Sequence, residues 1–218
     1  MRVAATFVTP FRSSRVPSQR RPSRARSKLD IAKWTPELLK QLEWRRFEEL
    51  CAAYFEMMGF RTSIAQSEGD HGGIDIHLYA GGSDSASVLV QCKPWNAYRV
   101  GIRPGRELRA AMASAKLGQG ILVTSGRFTQ EAVTFAGKEN IELIDGAGLL
   151  GRFAALLPEQ GLALLKFATQ GDFLTPTCPA CSIKMTSRTS TREGRKFWGC
   201  PNYPRCKQTF TGTANAPA

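Results

Sequence analysis

Four cysteines crowded near the C-terminus constrain this chain more than any other feature. Cys178 and Cys181 are separated by two residues, Cys200 and Cys206 by five, and 18 residues lie between the pairs. Two thiolate pairs carried on two turns are the pattern of a closed tetrahedral zinc site, which leaves no open position for catalysis. A segment of about 35 residues has too little apolar core to fold unaided, so bound Zn²⁺ would supply its folding energy. The expectation is a small zinc ribbon over residues 176–212, with Cys178, Cys181, Cys200 and Cys206 as ligands. The other two cysteines, Cys51 and Cys92, stand alone in apolar surroundings. A metal-bound cluster in a reducing compartment fits this usage better than disulfides.

Between and beside the ligands the chain is basic and aromatic: Lys184, Arg188, Arg192, Arg195, Lys196, Phe197, Trp198, Tyr203, Arg205 and Lys207. Cations bind phosphate, and exposed rings stack on unpaired bases. The alternative is that Phe197 or Trp198 packs the tiny core of the ribbon. The whole chain carries a formal charge of +12, which points to a polyanionic partner, nucleic acid before an anionic membrane surface. That charge sits at the two ends, leaving the stretch 30–171 near neutral. No run of 18 apolar residues exists, so no membrane-spanning segment is expected.

Residues 1–29 hold eight basic residues and no acid, with Ser and Pro and few apolar groups. Such a segment cannot bury enough surface to offset chain entropy. It reads as a disordered basic tail, either an arm for DNA or simply a solvated extension, and no signal peptide is expected in it. Residues 213–218 read as a second disordered tail.

The middle of the chain has the periodicity of one mixed domain over residues 30–157. Thr35-Pro36-Glu37 carries a capping hydroxyl, a proline for the first helical position and an acid for the first turn. Leu39, Leu42, Phe47, Leu50, Cys51, Tyr54, Phe55 and Met58 then follow in steps of three and four. The spacing predicts one helical face running to Gly59. Strands are predicted at Phe60–Ala65, Ile74–Tyr79, Ser87–Lys93, Gly120–Thr124 and Ile141–Ile144. Helices are predicted at Gly105–Lys116, from Thr129 to Lys138, and from Gly148 to Leu157. Residues 158–175 read as a linker with a short helix at Gly161–Phe167. The alternation argues for an α/β sandwich around a mixed sheet.

Two of those strands carry polar groups among apolar ones: Ile74-Asp75-Ile76 and Val90-Gln91-Cys92-Lys93. Side chains alternate faces along a strand, so Gln91 and Lys93 share one. Buried or half-buried, such groups are costly without partners. If the two strands pair, the Asp75 carboxylate, the Gln91 amide oxygen and the Cys92 backbone carbonyl can share a hard cation such as Mg²⁺. Lys93 can then orient a water and stabilise charge developing on a phosphate. Glu48 lies three residues before Cys51 and seven before Phe55 and so falls on the inward helical face. A carboxylate there needs a partner. The alternatives are a strand-end acid held by glycine amides for Asp75 and an ion-paired or snorkelling Lys93. Thr124-Ser125-Gly126, ending a strand before a helix, can hold a backbone phosphate or serve only as a turn. Asp145-Gly146 reads as turn chemistry.

The stretches WRRFEEL (44–50), MGF (58–60), GGIDI (72–76), VQCKPW (90–95), ILVTSGRFTQEA (121–132) and IELIDGAGLL (141–150) resemble the catalytic domain of Mrr-type restriction endonucleases, within the PD-(D/E)xK nuclease superfamily. That resemblance implies a restriction-endonuclease-like α/β fold, a mixed sheet flanked by helices. It implies Glu48, Asp75, Gln91 and Lys93 as the catalytic set, with Mg²⁺ as cofactor. The family often has Asp-Gly-Gly before the first of these strands. Here Asp70 comes one place earlier and His71 precedes the glycines, which reads as a bystander or a substitute polar contact. The run from Cys178 to Cys206 is similar to the C-terminal four-cysteine zinc finger of type IA topoisomerases, which implies binding to single-stranded DNA. Together the two resemblances imply a metal-dependent DNA endonuclease of the bacterial cytoplasm, cutting double-stranded DNA, foreign or modified. Double-strand cutting needs two active sites, which points to a homodimer or a transient pairing on DNA. A non-catalytic DNA-binding protein on the same scaffold and a DNA-repair nuclease are the alternatives.

Overall fold

The helical run that the sequence writes as continuous is broken in the structure, a computed structural model that describes residues 30–65, 74–93, 99–191 and 193–211. The tails at 1–29 and 213–218, Asp70, His71, the glycines at 72–73, the stretch 94–98 and Arg192 lie outside the described residues. Helix α1 (Pro36–Gln41) starts as expected, with the Thr35 hydroxyl accepting from the Leu38 amide. It stops at Leu42, and Glu43 takes an extended backbone (φ −67°, ψ 158°) before α2 (Trp44–Met57). The predicted single helix is therefore two. Glu43 turns its carboxylate back to cap α2, accepting from the amides of Arg45 and Arg46.

Strands β1 (Arg61–Ile64), β2 (Ile76–Tyr79) and β3 (Val88–Lys93) form an antiparallel meander with Ile76 opposite Val90. The short β4 (Arg99–Val100) leads into α3 (Ile102–Ser114), which begins three residues before the predicted start. Next come β5 (Gly120–Thr124), β6 (Arg127–Phe128), α4 (Gln130–Lys138), β7 (Ile141–Ile144) and α5 (Gly146–Ala154). The main sheet has the order β1-β2-β3-β5-β7, in which β3, β5 and β7 run parallel. This is the mixed sheet expected from the sequence. β4 and β6 pair separately as a parallel ribbon.

Alternation sorts the strand residues into two cores. Ile76, Val88, Val90, Cys92, Ile121 and Val123 pack toward α1, α2 and α5. Leu89 and Leu122 face the other way, onto Leu108 and Met112 of α3 and Ala136 of α4. The result is a three-layer α/β/α arrangement. Each fully buried leucine contributes about 1.5–3 kcal/mol, which is what holds the helices to the sheet. Residues 158–175, expected as a linker with a short helix, instead hold α6 (Pro158–Thr169). Its Leu164, Leu165 and Ala168 join the first core, so most of the predicted linker is structural. The chain ends in a three-stranded antiparallel sheet, β8 (Thr186–Thr189), β9 (Lys196–Gly199) and β10 (Thr209–Thr211), ordered β10-β9-β8. Among the described residues, no helix is long and apolar enough to cross a membrane.

Candidate functional site

Asp75 precedes β2 but its backbone is already fixed in the sheet. Its amide donates to Val90 O at 3.0 Å, and Ala65 N donates to Asp75 O at 2.8 Å. That frees the side chain to cross toward β3, where Cys92 N donates to Asp75 Oδ2 at 2.5 Å. Glu48, on the inward face of α2 and 7% exposed, meets the same carboxyl group from above the sheet. Arg45, one turn earlier on α2, reaches Glu48 Oε2 at 3.5 Å. Burial, followed by the facing Asp75 charge, holds Glu48 well above the usual carboxylate range. Burial also raises Asp75 to about 6, against the opposing pull of the Cys92 amide and the Lys93 ammonium. Two carboxyl groups so placed hold a proton between them unless a cation takes its place.

Gln91 supplies the test of whether a cation fits. Its side chain is fully buried, and neither its amide oxygen nor its amide nitrogen has a hydrogen-bond partner. A buried polar group left in that state costs about 1–3 kcal/mol. Two buried carboxyl groups in contact, and an orphaned amide oxygen on the adjoining strand, are oxygen donors of the kind a hard divalent cation takes. The residues present therefore fit such an ion. The Cys92 thiol does not compete: burial, then contact with the Cys51 thiol, keeps it well above its ordinary value, so it stays protonated. Cys51 and Cys92, isolated in the sequence, thus meet across the α2–β3 interface.

Lys93 sits half-buried at the end of β3, on the same face as Gln91. Its backbone is pinned from β5, because Thr124 Oγ1 donates to Lys93 O at 2.6 Å and accepts from Gly126 N at 3.1 Å. Thr124 is therefore occupied in holding Lys93 and its own turn. Asp145 is the N-cap of α5, accepting from Gly148 N at 2.8 Å, in keeping with the turn role expected for it. The structure thus brings Glu48, Asp75 and the Cys92 amide into contact and places the Lys93 charge where Asp75 feels it, while Gln91 makes no hydrogen bond to any of them. Sequence reasoning missed Arg45. The signal was its spacing of three and four from Glu48 and Glu49, both of which it pairs with.

The four cysteines converge as their spacing demands. Their sulfurs all lie within 4.8 Å of one another, and Cys178 Sγ and Cys206 Sγ are 3.7 Å apart. Tetrahedral Zn²⁺ with bonds of ~2.3 Å needs sulfurs about 3.8 Å apart, so the set fits the ion. Burial, then the facing cysteines, pushes the Cys200 thiol up to about 12, whereas the Gln208 amide lowers Cys206. Trp198 packs beneath the cluster with Met185 and Phe210. Phe197, the other ring the sequence left open, lies opposite Arg188 on β8. Arg188 stands 5.9 Å from the Tyr203 ring, which is largely exposed.

The ribbon is also joined to the sheet domain through the helix break. Glu43, 2% exposed, accepts from Thr177 N at 3.2 Å, Thr177 Oγ1 at 3.0 Å and Lys184 Nζ at 3.0 Å. Trp44 Nε1 donates to Thr177 O at 2.7 Å, and its ring packs with Cys178, Met185, Cys200 and Phe210. The helix that presents Glu48 thus begins inside the core of the zinc ribbon.

Comparison with known proteins places both halves. The family model described as a restriction endonuclease, the Mrr-type catalytic domain, matches residues 39–153. The family described as a topoisomerase DNA-binding C4 zinc finger matches residues 175–212. DNA topoisomerase 1 of Pyrococcus horikoshii is 30% identical over 93 residues, covering 41% of this chain and 13% of that protein. Among solved structures, the MspJI restriction endonuclease in complex with a 27-mer oligonucleotide has a TM-score of 0.41 at 23% identity, covering 62% of this chain and 34% of that one. The DNA modification-dependent restriction endonuclease AspBHI has a TM-score of 0.45 at 21% identity, covering 67% and 44%. The chain thus spans about an eighth of the topoisomerase and less than half of either endonuclease.

Proposed function

The chain belongs to the restriction endonuclease family defined by the Mrr-type catalytic domain and ends in a DNA-binding zinc ribbon, and on that premise we propose that it is a Mg²⁺-dependent endonuclease hydrolysing phosphodiester bonds in DNA. The observation that carries the reading is the contact of buried Glu48 and Asp75 beside an orphaned Gln91 amide. Asp75, the Gln91 amide oxygen and the Cys92 carbonyl would hold the ion, whose chemistry is to neutralise phosphate oxygens and acidify a water. Burial of Glu48 and Asp75 in contact favours their protonated forms, so a cation held there would compete with protons and its binding would weaken as the pH falls.

The remaining work falls to the chain itself. Lys93, its backbone held by Thr124, presents its ammonium to the attacking water and to the charge that grows on the phosphate. Arg45 keeps the Glu48 carboxyl aimed at Asp75. The open face of the ribbon, with Arg188, Phe197 and Tyr203, suits phosphates and stacked bases, including those of single strands. Cutting both strands of a duplex takes two such sites, supplied by two copies meeting on the DNA. Foreign or modified DNA is the substrate this reading favours.

A plasmid-nicking assay with Mg²⁺ on methylated, unmethylated and single-stranded DNA tests the reading. The zinc-loaded protein cuts at least one of these, and Lys93→Ala reduces the rate by at least ~100-fold, the scale of losing one transition-state charge donor. Identical behaviour of the protein and the Lys93→Ala variant on every substrate defeats it.

A further inference from the structure

Two strands over from Asp75, the structure holds a cavity of about 530 Å³ at the C-terminal end of β5. Pro36, Leu39 and Leu150 give it apolar lining, and Lys40, Arg99 and Arg127 line it as well. These two arginines are register partners in the β4–β6 ribbon. Like charges directly opposite each other in a strand pair are destabilising, and neither arginine has an ion pair among the described residues. Ser125 also lines the cavity. It is 3% exposed, and its hydroxyl has no hydrogen-bond partner. The N-terminus of the nine-residue α5 closes the site. A side chain at Gly146 would place its Cβ 2.4 Å from Ser125 O, so only glycine lets the helix end approach this closely. Ends of parallel strands facing a helix N-terminus are where open α/β sheets bind ligands.

We infer that this cavity binds one nucleotide, with its phosphate on Arg99, Arg127 and the Ser125 hydroxyl and its base against Leu39 and Leu150. Size decides between a bare phosphate and a nucleotide. The volume falls within the ~300–1,000 Å³ of small-molecule pockets, far more than one phosphate fills. Thr124, the residue before Ser125, is the one that holds Lys93 O. A nucleotide here therefore lies next to the reacting phosphate, and in that respect the inference rests on the nuclease reading. The same chemistry is offered by a nucleotide extruded from a duplex and by a free nucleoside monophosphate.

The experiment uses the zinc-loaded full chain without divalent cation, so that nothing is cut. Binding of dAMP is measured by calorimetry. Binding of a duplex bearing 2-aminopurine is followed by anisotropy and by the 2-aminopurine emission, which rises when a base leaves the stack. Arg99→Gln/Arg127→Gln, both surface substitutions, and Ser125→Val are compared after melting curves confirm folding. At least a tenfold loss of dAMP binding in the variants supports a free nucleotide as ligand. Loss of the 2-aminopurine rise, with a salt slope shallower by about one contact, supports an extruded nucleotide. Variants that keep wild-type dAMP affinity and wild-type emission overturn the inference, even if duplex affinity falls. Cleavage by the unaltered protein after Mg²⁺ addition is scored separately. No cleavage with nucleotide binding intact removes the nuclease reading alone, and cleavage with unaffected variants removes the cavity alone.

Discussion

Replacing Glu43 with alanine removes one carboxylate from three structures at once: the cap of α2, the anchor of Thr177 and the partner of Lys184. Loss of an N-cap costs about 1 kcal/mol. Thr177, 8% exposed, loses the acceptors of both its amide and its hydroxyl, which costs about 1–3 kcal/mol. Lys184 is 39% exposed on its side chain, so water screens its pair and the share is below about 1 kcal/mol. The expected total is about 2–5 kcal/mol. For a chain of this size each kcal/mol shifts the melting temperature by about 2–4 °C, so a drop on the order of 10 °C is expected. Differential scanning calorimetry on the zinc-loaded protein measures it. Glu43→Gln keeps one accepting oxygen, for one α2 amide and one Thr177 donor, and turns an amide N–H toward the others, so it should recover only part of the loss. An alanine variant destabilised by less than about 1 kcal/mol would refute the view that this carboxylate joins the two modules.

Other expectations follow from the same geometry. The folded Asp75 value of about 6 exceeds its ordinary 3.8. Its contribution to stability is therefore full below about pH 4 and is lost as the pH rises through about 6. In metal-free protein, the stability advantage of wild type over Asp75→Asn should shrink by up to about 3 kcal/mol across that window, and Mg²⁺ should restore it at pH 7.5. An advantage that grows with pH in urea titrations would contradict this. Cys206→Ser should lower bound zinc from one equivalent and weaken single-stranded DNA binding, read by metal analysis and anisotropy; full zinc content would reject the four-sulfur site. Trp44→Phe keeps an aromatic ring, though a smaller one, and leaves Thr177 O without its donor, so a loss of at least about 1–3 kcal/mol is expected in thermal melts.

Local chemistry was legible in the sequence and long-range contacts were not. The cap at Thr35, the strands Gly120–Thr124 and Ile141–Ile144 and the inward Glu48 all follow from neighbours within one turn or one alternation. So does the convergence of four cysteines, because spacing on two turns leaves little else for them to do. The break at Glu43 carries no glycine or proline. At the break Glu43 bonds Thr177, 134 residues away, and no periodicity reports such a partner. The docking of α6 was hidden for the same reason: Pro158 marks its start, but only the finished core shows what its leucines cover. β4 and β6 are two residues each, too short for alternation, so the pairing of Arg99 with Arg127 could not be read. In the candidate site, Asp75, Gln91 and Lys93 stood out as polar groups on apolar strands. Their grouping as one catalytic set came from family resemblance, and the orphaned amide of Gln91 is what the structure adds.

The most direct test is Mg²⁺-dependent cleavage of defined plasmid and oligonucleotide DNA by the zinc-loaded full chain, run beside Asp75→Ala and Lys93→Ala variants whose folding and DNA affinity are checked. The expected result is phosphodiester hydrolysis that needs the divalent ion and falls by at least ~100-fold in both variants while DNA binding persists. DNA binding without any cleavage by the unaltered protein, or cleavage that both variants retain in full, would contradict it.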